Sequence, residues 1–203
     1  MSWNTEETQR KLRDAATAEF ATYGLHGTTV DRIAKRAGVN KERLYKYFGN
    51  KQQLFTTVLS HELIKISKAV PLTSMNADDL GDFAGRVYDY NVAHPELVRL
   101  MHWEGLSLPG RVPDEPERSR YYRKKVDAFA VAQAEGGLPQ APEASHLVMM
   151  VLALTAWWFA VPHVTRMVTG TEDTDDEHLR RRAAVVWAAR RLAAPDAPGE
   201  RWT

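Results

Sequence analysis

Residues 37–51 read AGVNKERLYKYFGNK, and the fold turns on how this stretch is built. Gly38 separates two short helical patterns. Residues 41–51 then crowd Lys41, Arg43, Lys46 and Lys51 together with Tyr45 and Tyr47. Leu44 and Phe48 stand four apart and so share one helix face, which can anchor in a core with Phe20 and Ile33. That leaves Lys41, Glu42, Arg43, Tyr45, Lys46 and Tyr47 to face something other than the protein's own interior.

Upstream, Leu12, Ala15, Ala16, Phe20 and Tyr23 recur at helical spacing, and Gly24 is the expected end of that helix. Thr28 with Asp31 opens a second helix carrying Ile33, Ala34 and Ala37. Gly38 ends it, Asn40 caps a third, and Gly49 stops the third. Asn50 with Gln53 caps a longer fourth helix whose inner face is Leu54, Phe55, Val58, Leu59, Leu63 and Ile66, with Pro71 closing it. The segment PLTSMNADD, 71–79, is the expected boundary, giving a head at 1–51, a connecting helix at 52–70 and a body at 71–203. In the body the patterns predict helices at 80–93, 96–106, 116–135, 143–168 and 175–193. No alternating strand pattern competes, so the expected fold class is all-α.

Composition narrows the rest. The chain has 203 residues and no cysteine, which excludes a disulfide framework and a Cys-based zinc site. The opening MSWNTEETQRKLR is charged and lacks the apolar core of a signal peptide, so the expected location is cytoplasmic. The longest apolar run, 147–161, reaches only about 22 Å as a helix against a hydrocarbon core of about 30 Å. A buried helix is expected there, with no membrane partner. The net charge is +1, yet residues 1–51 carry ten of the 27 Lys/Arg and only six of the 26 Asp/Glu. A basic head on an acidic body suits a local polyanion contact.

Helices at 29–37 and 41–48 joined through Gly38 match a helix-turn-helix, a unit whose second helix lies in the DNA major groove. The run AlaThrAlaGluPhe…TyrGly…GlyThrThrValAspArgIleAla…AlaGlyValAsnLys…LeuTyrLysTyrPheGlyAsnLys…LeuPhe, over residues 12–58, resembles the N-terminal domain of the TetR family of bacterial transcriptional regulators. The resemblance implies a homodimer that binds a palindromic operator in double-stranded DNA and is usually a ligand-responsive repressor. It places Thr29 at the helix abutting the backbone, Lys41, Glu42, Arg43, Tyr45, Lys46 and Tyr47 on the recognition helix, and Lys51 on a phosphate. Where many members have a small pair after the lysine, this chain has Glu42 and Arg43. Arg43 has the geometry to pair with guanine and Glu42 to accept from cytosine; a salt bridge within the helix or a phosphate contact is the alternative.

In the body, Trp157, Trp158 and Phe159 are consecutive, about 100° apart on a helix, so they cannot all face one core. One face is left for a ligand or a second subunit. The resemblance implies that the last two helices, 143–168 and 175–193, form the dimer interface, and that 71–203 is an effector-binding and dimerisation domain. On the last helix Leu179, Ala183, Val186 and Leu192 make an apolar stripe. Phe83, Tyr88, Met101, Trp103, Tyr122, Phe129, Met150 and Trp157 are the candidate lining of a pocket, pointing to an apolar or aromatic effector, with plain core packing as the alternative for each. A body that only dimerises or docks a protein, with no effector, is the competing reading. No enzyme, cofactor or metal site is implied: His61-Glu62 is followed by Lys65 where a zinc motif needs histidine, and no phosphate-binding or nucleophile motif occurs.

Overall fold

A computed structural model describes residues 2–72, 76–112 and 114–194, without the side chains of residues 2–4. Positions 73–75 of the expected linker lie outside the described residues. Among the described residues the elements are ten helices and no strands: α1 (Ser2–Gly27), α2 (Val30–Ala37), α3 (Lys41–Phe48), α4 (Lys51–Ala69), α5 (Ala77–Ala93), α6 (Pro95–Ser107), α7 (Glu115–Ala134), α8 (Ala144–Ala160), α9 (Pro162–Thr169) and α10 (Asp175–Leu192). The chain divides into two compact units. The described residues up to Lys65 join Pro95–Glu115 in one, and Ile66–His94 join the described residues from Pro116 onward in the other.

The first unit is built round fully buried Leu12, Phe20, Ile33, Leu44, Leu54, Phe55 and Leu59. Phe20 meets Phe55 edge to face, with ring centres 5.1 Å apart, an arrangement the ring quadrupoles favour. Gly24 interrupts α1 where the helix was expected to end. It kinks the helix at φ 69°, ψ −179°, and helical turns resume to Gly27. The reason is α6: the indole of Trp103 lies so close that a Cβ on Gly24 would stand 2.5 Å from it. The Trp103 Nε1 donates to the Ala21 carbonyl at 3.3 Å, one of the carbonyls that the kink leaves for other donors. The Ser60 hydroxyl also bonds Asp114.

In the second unit Leu80, Phe83, Ala84, Tyr88, Phe129, Leu147, Val151, Val185 and Ala189 share a core. Gly81 and Gly85, one turn apart on α5, let α10 approach closely: a Cβ on Gly85 would sit 2.9 Å from Val186 and one on Gly81 3.2 Å from the Val186 carbonyl. The single helix expected over 143–168 is two helices. Pro162 offers no amide to α8, so α8 stops at Ala160 and Pro162 starts α9 at its first position. The two axes differ by 89°. The expected stripe on the last helix also needs correction. α10 turns Arg181, Val185 and Ala189 inward, while Leu179 and Ala183 are exposed and Val186 and Leu192 half-buried.

Arg181 is tolerated inside because two acids neutralise it. Its Nε donates to Glu177 at 3.0 Å and its Nη1 to Asp173 at 2.7 Å. Burial pushes the Glu177 carboxyl up, but hydrogen bonds from Arg181 and Thr171 and the Arg181 charge outweigh it, and the group is held below its ordinary 4.5. A depressed folded value contributes stability that is full above the ordinary range and is lost as pH falls through the folded value. Glu177→Gln should therefore flatten the acid limb of a stability-against-pH curve below about pH 4.5, followed by circular dichroism. Beside this pair, the Tyr88 hydroxyl lies 3.1 Å from His178 Nδ1, and burial pushes the phenol up to about 12.

Candidate nucleic-acid interface

Local chemistry sets the turn between α2 and α3. Gly38 takes the left-handed conformation at φ 63° and its amide bonds back to Ala34 and Lys35. Asn40 then caps α3, accepting from the Glu42 amide at 3.2 Å. The cap of α2 is Thr29, whose hydroxyl oxygen accepts from the Arg32 amide at 3.2 Å. Thr28, expected to open that helix, does something else. It is fully buried, and its hydroxyl donates to Glu19 at 2.8 Å.

With Leu44 fully buried, α3 is fixed by its inner face. Lys41, Glu42, Arg43, Tyr45 and Lys46 are exposed, and Tyr47 is half-buried with its ring edge-on to Phe48 at 6.4 Å. Lys41 pairs with Asp31 of α2 at 3.1 Å. That hydrogen bond, with the Asp31 charge, raises the ammonium above its ordinary range. Arg43 and Lys46 make no ion pair among the described residues. Lys51 stands half-buried at the start of α4, where Asn50 and Gln53 bond each other's backbone amides at 2.9 Å as the sequence predicts. Its ammonium donates to the Thr28 carbonyl at 2.9 Å, leaving further donors for an outside partner. The exposed α3 side chains therefore occupy the sides of the helix away from Leu44, while Lys51 reaches the Thr28 carbonyl beside Thr29 at the start of α2.

The candidate pocket residues are placed differently. Phe83, Tyr88 and Phe129 belong to the core of the second unit, and Tyr122 is half-buried on α7. Met101 and Trp103 stand on α6 in the first unit. Met150 and Trp157 are exposed on α8 and line an open apolar groove of about 630 Å³ together with Trp158, Trp187 and Leu192. The clamp of Glu19 on Thr28 escaped the sequence reading, because nothing in nine-residue spacing signals a contact across a helix junction.

A basic helix held by one buried leucine, behind a glycine turn and a capped partner helix, defines a helix-turn-helix DNA-binding regulator. The chain belongs to the TetR family of bacterial transcriptional regulators. Residues 12–58 match the model described as bacterial regulatory proteins, tetR family, and residues 79–191 the tetracyclin repressor-like C-terminal domain. It is 37% identical over 188 residues to the HTH-type transcriptional repressor SCO4008 of Streptomyces coelicolor, covering 92% of this chain and 95% of that one. A solved structure of the putative regulator SCO4942 from the same organism is similar at 29% identity and a TM-score of 0.78, over 91% of this chain and 97% of the other. The fold is shared with AibR, solved with isovaleryl coenzyme A and operator DNA, at 16% identity and a TM-score of 0.68 over 90% and 97% of the two chains. As a member of this family the chain is a DNA-binding transcriptional regulator and not an enzyme. No single described helix is long and apolar enough to cross a membrane; only the sharply bent α8–α9 pair passes that test, on length and composition.

Proposed function

We propose that the chain is a ligand-responsive homodimeric repressor that acts on a palindromic operator in the cytoplasm. The observation that carries the reading is α3, where Arg43 and Lys46 are exposed, with no ion pair among the described residues, on a helix fixed by Leu44. In this reading Lys46, Lys51, Thr29 and the tyrosines Tyr45 and Tyr47 position the head on phosphates. Arg43, with Glu42 beside it, reads base edges. Lys41, held by Asp31, braces α2 against α3 and contributes to phosphate binding through its remaining donors.

Two substitutions separate these roles. Lys46→Ala should weaken binding to every duplex alike and lower the salt slope by about one. Arg43→Ala should instead relax preference at one base pair by about 1–3 kcal/mol. Both are read by fluorescence anisotropy on a panel of single-base operator variants. An unchanged preference profile in Arg43→Ala would remove its base-reading role.

The exposed apolar side chains of α8 and α10 support dimerisation through these two helices. Met150, Trp157 and Trp187 line one groove that water alone would leave unfavourably solvated. For the effector we keep an apolar or aromatic molecule as the class an aromatic-rich body suggests, with Phe83, Tyr88 and Phe129 themselves packed in the core. AibR, a protein of the same fold, was solved with isovaleryl coenzyme A, a ligand with a short apolar acyl tail on a polyanionic nucleotide. Titrating acyl-coenzyme A and aromatic acids while following tryptophan emission tests this. A saturable change that also releases DNA supports an effector, and no response across the panel favours a body that only dimerises or docks a protein.

A further inference from the structure

Glu19 is 4% exposed, at the junction of α1 and α2. Its burial follows from Thr28, whose fully buried hydroxyl must find an acceptor and finds Glu19 Oε2 at 2.8 Å. Taking a carboxylate out of water costs free energy unless opposite charge stands in for its hydration. Two arginines supply it. Arg32 Nε lies 3.2 Å from Oε2, and Arg36 Nη1 lies 3.2 Å from Oε1. Four apart on α2, they reach α1 from one face. Arg32 is held a second time, its guanidinium 4.1 Å above the Tyr23 ring. Both arginines keep about half of their side-chain surface in solvent, at 46% and 54%, so freed from Glu19 they have room to swing outward.

We propose that Glu19 is a specificity-determining residue of the DNA interface, acting by withholding Arg32 and Arg36 from phosphate. The proposal rests on the reading of α3 as the groove-facing helix. Phosphate contacts supply non-specific affinity, and each steepens its salt dependence by about 0.9. Two unrestrained arginines beside the recognition helix would raise affinity for any duplex without adding base readout, so the ratio of operator to random DNA would fall. A buried acid that ties both down keeps that ratio high. Thr28 makes the arrangement more than a surface salt bridge, because its hydroxyl fixes the acid and its carbonyl receives Lys51.

Glu19→Gln tests this, since glutamine keeps the size and an acceptor for the Thr28 hydroxyl while removing the charge. Affinity for a random-sequence duplex should rise about tenfold at low salt, and its log–log salt slope should steepen by about 1–2. The triple variant Glu19→Gln/Arg32→Gln/Arg36→Gln should return both to the wild-type values. If random-duplex affinity stays the same, or falls in step with melting temperature, Glu19 is a core anchor only and the proposal is overturned. Arg36→Gln alone provides a second test in a head that keeps Glu19 paired with Arg32. Its salt slope should equal the wild type's, whereas a drop of about one would mean that Arg36 already sits on a phosphate and would also overturn the proposal. The groove-facing reading is judged separately by Lys46→Ala: unchanged binding there sinks that reading whatever Glu19→Gln does.

Discussion

Trp157→Glu combined with Trp187→Glu is expected to turn the dimer into monomers and to weaken operator binding by about 10²–10⁴-fold, the range lost when two linked sites are engaged one at a time. Trp157 is 60% exposed and Trp187 63%, on the two helices assigned to the interface, and both line the same groove. Large aromatic side chains at the centre of an interface are where binding energy concentrates, each costing about 2 kcal/mol or more on truncation. Here each dimer would lose four of them and gain four buried carboxylates, which desolvation makes worse than truncation alone. Because both rings already stand in solvent in the single chain, the monomer should keep its helix content and melting behaviour. Sedimentation velocity reads the mass, and anisotropy on the operator reads the affinity. A variant that still sediments as a dimer would place the interface elsewhere and leave this groove to another occupant.

Gly24→Ala should be the most damaging small change in the first unit. At φ 69°, ψ −179°, Gly24 sits in a region reserved for glycine, where another residue costs about 1–3 kcal/mol. The added methyl would also lie 2.5 Å and 2.6 Å from Trp103 ring carbons, an overpacking worth about 1–3 kcal/mol more. At roughly 2–4 °C per kcal/mol for a chain of this size, the melting temperature should drop on the order of 10 °C. Trp103→Ala in the same background removes the clash but not the backbone cost. The double variant should therefore be less unstable than the two single changes sum to, a positive coupling in a thermal cycle. Melting within a degree or two of the wild type would mean that α1 bends there without needing glycine.

The caps and stops of the helix-turn-helix were legible because each is local chemistry: Gly38, Asn40, Gly49 and the Asn50–Gln53 pair act on backbone groups within four residues. Leu44 and Phe48 were legible as the inner face of α3 because they stand four apart, and the structure buries Leu44 fully and Phe48 in part. What the sequence hid depends on distant partners. Gly24 looks like any helix end until Trp103 fills the space beside it. Thr28 and Thr29 are equivalent as candidate caps, and only burial against Glu19 tells them apart. On α10 two apolar lines run side by side, and periodicity cannot say which one meets α5. Burial settles it: Val185 and Ala189 enter the core, while Val186 packs on Gly81 and Gly85. The break at Pro162 was visible in the sequence, but a strong apolar period on both sides made one helix look continuous.

In the proposed function α3 of each of two subunits reads one half of a palindrome. This is tested most directly by incubating the purified protein with fragmented genomic DNA at moderate salt and sequencing what is retained. The expected result is enrichment of an inverted repeat whose half-sites lie about 34–36 Å apart along the duplex, or a multiple of that, with the preference at one base pair of each half-site relaxed in Arg43→Ala. Retention of DNA with no shared motif would contradict it, leaving a head that holds the phosphate backbone and reads no sequence.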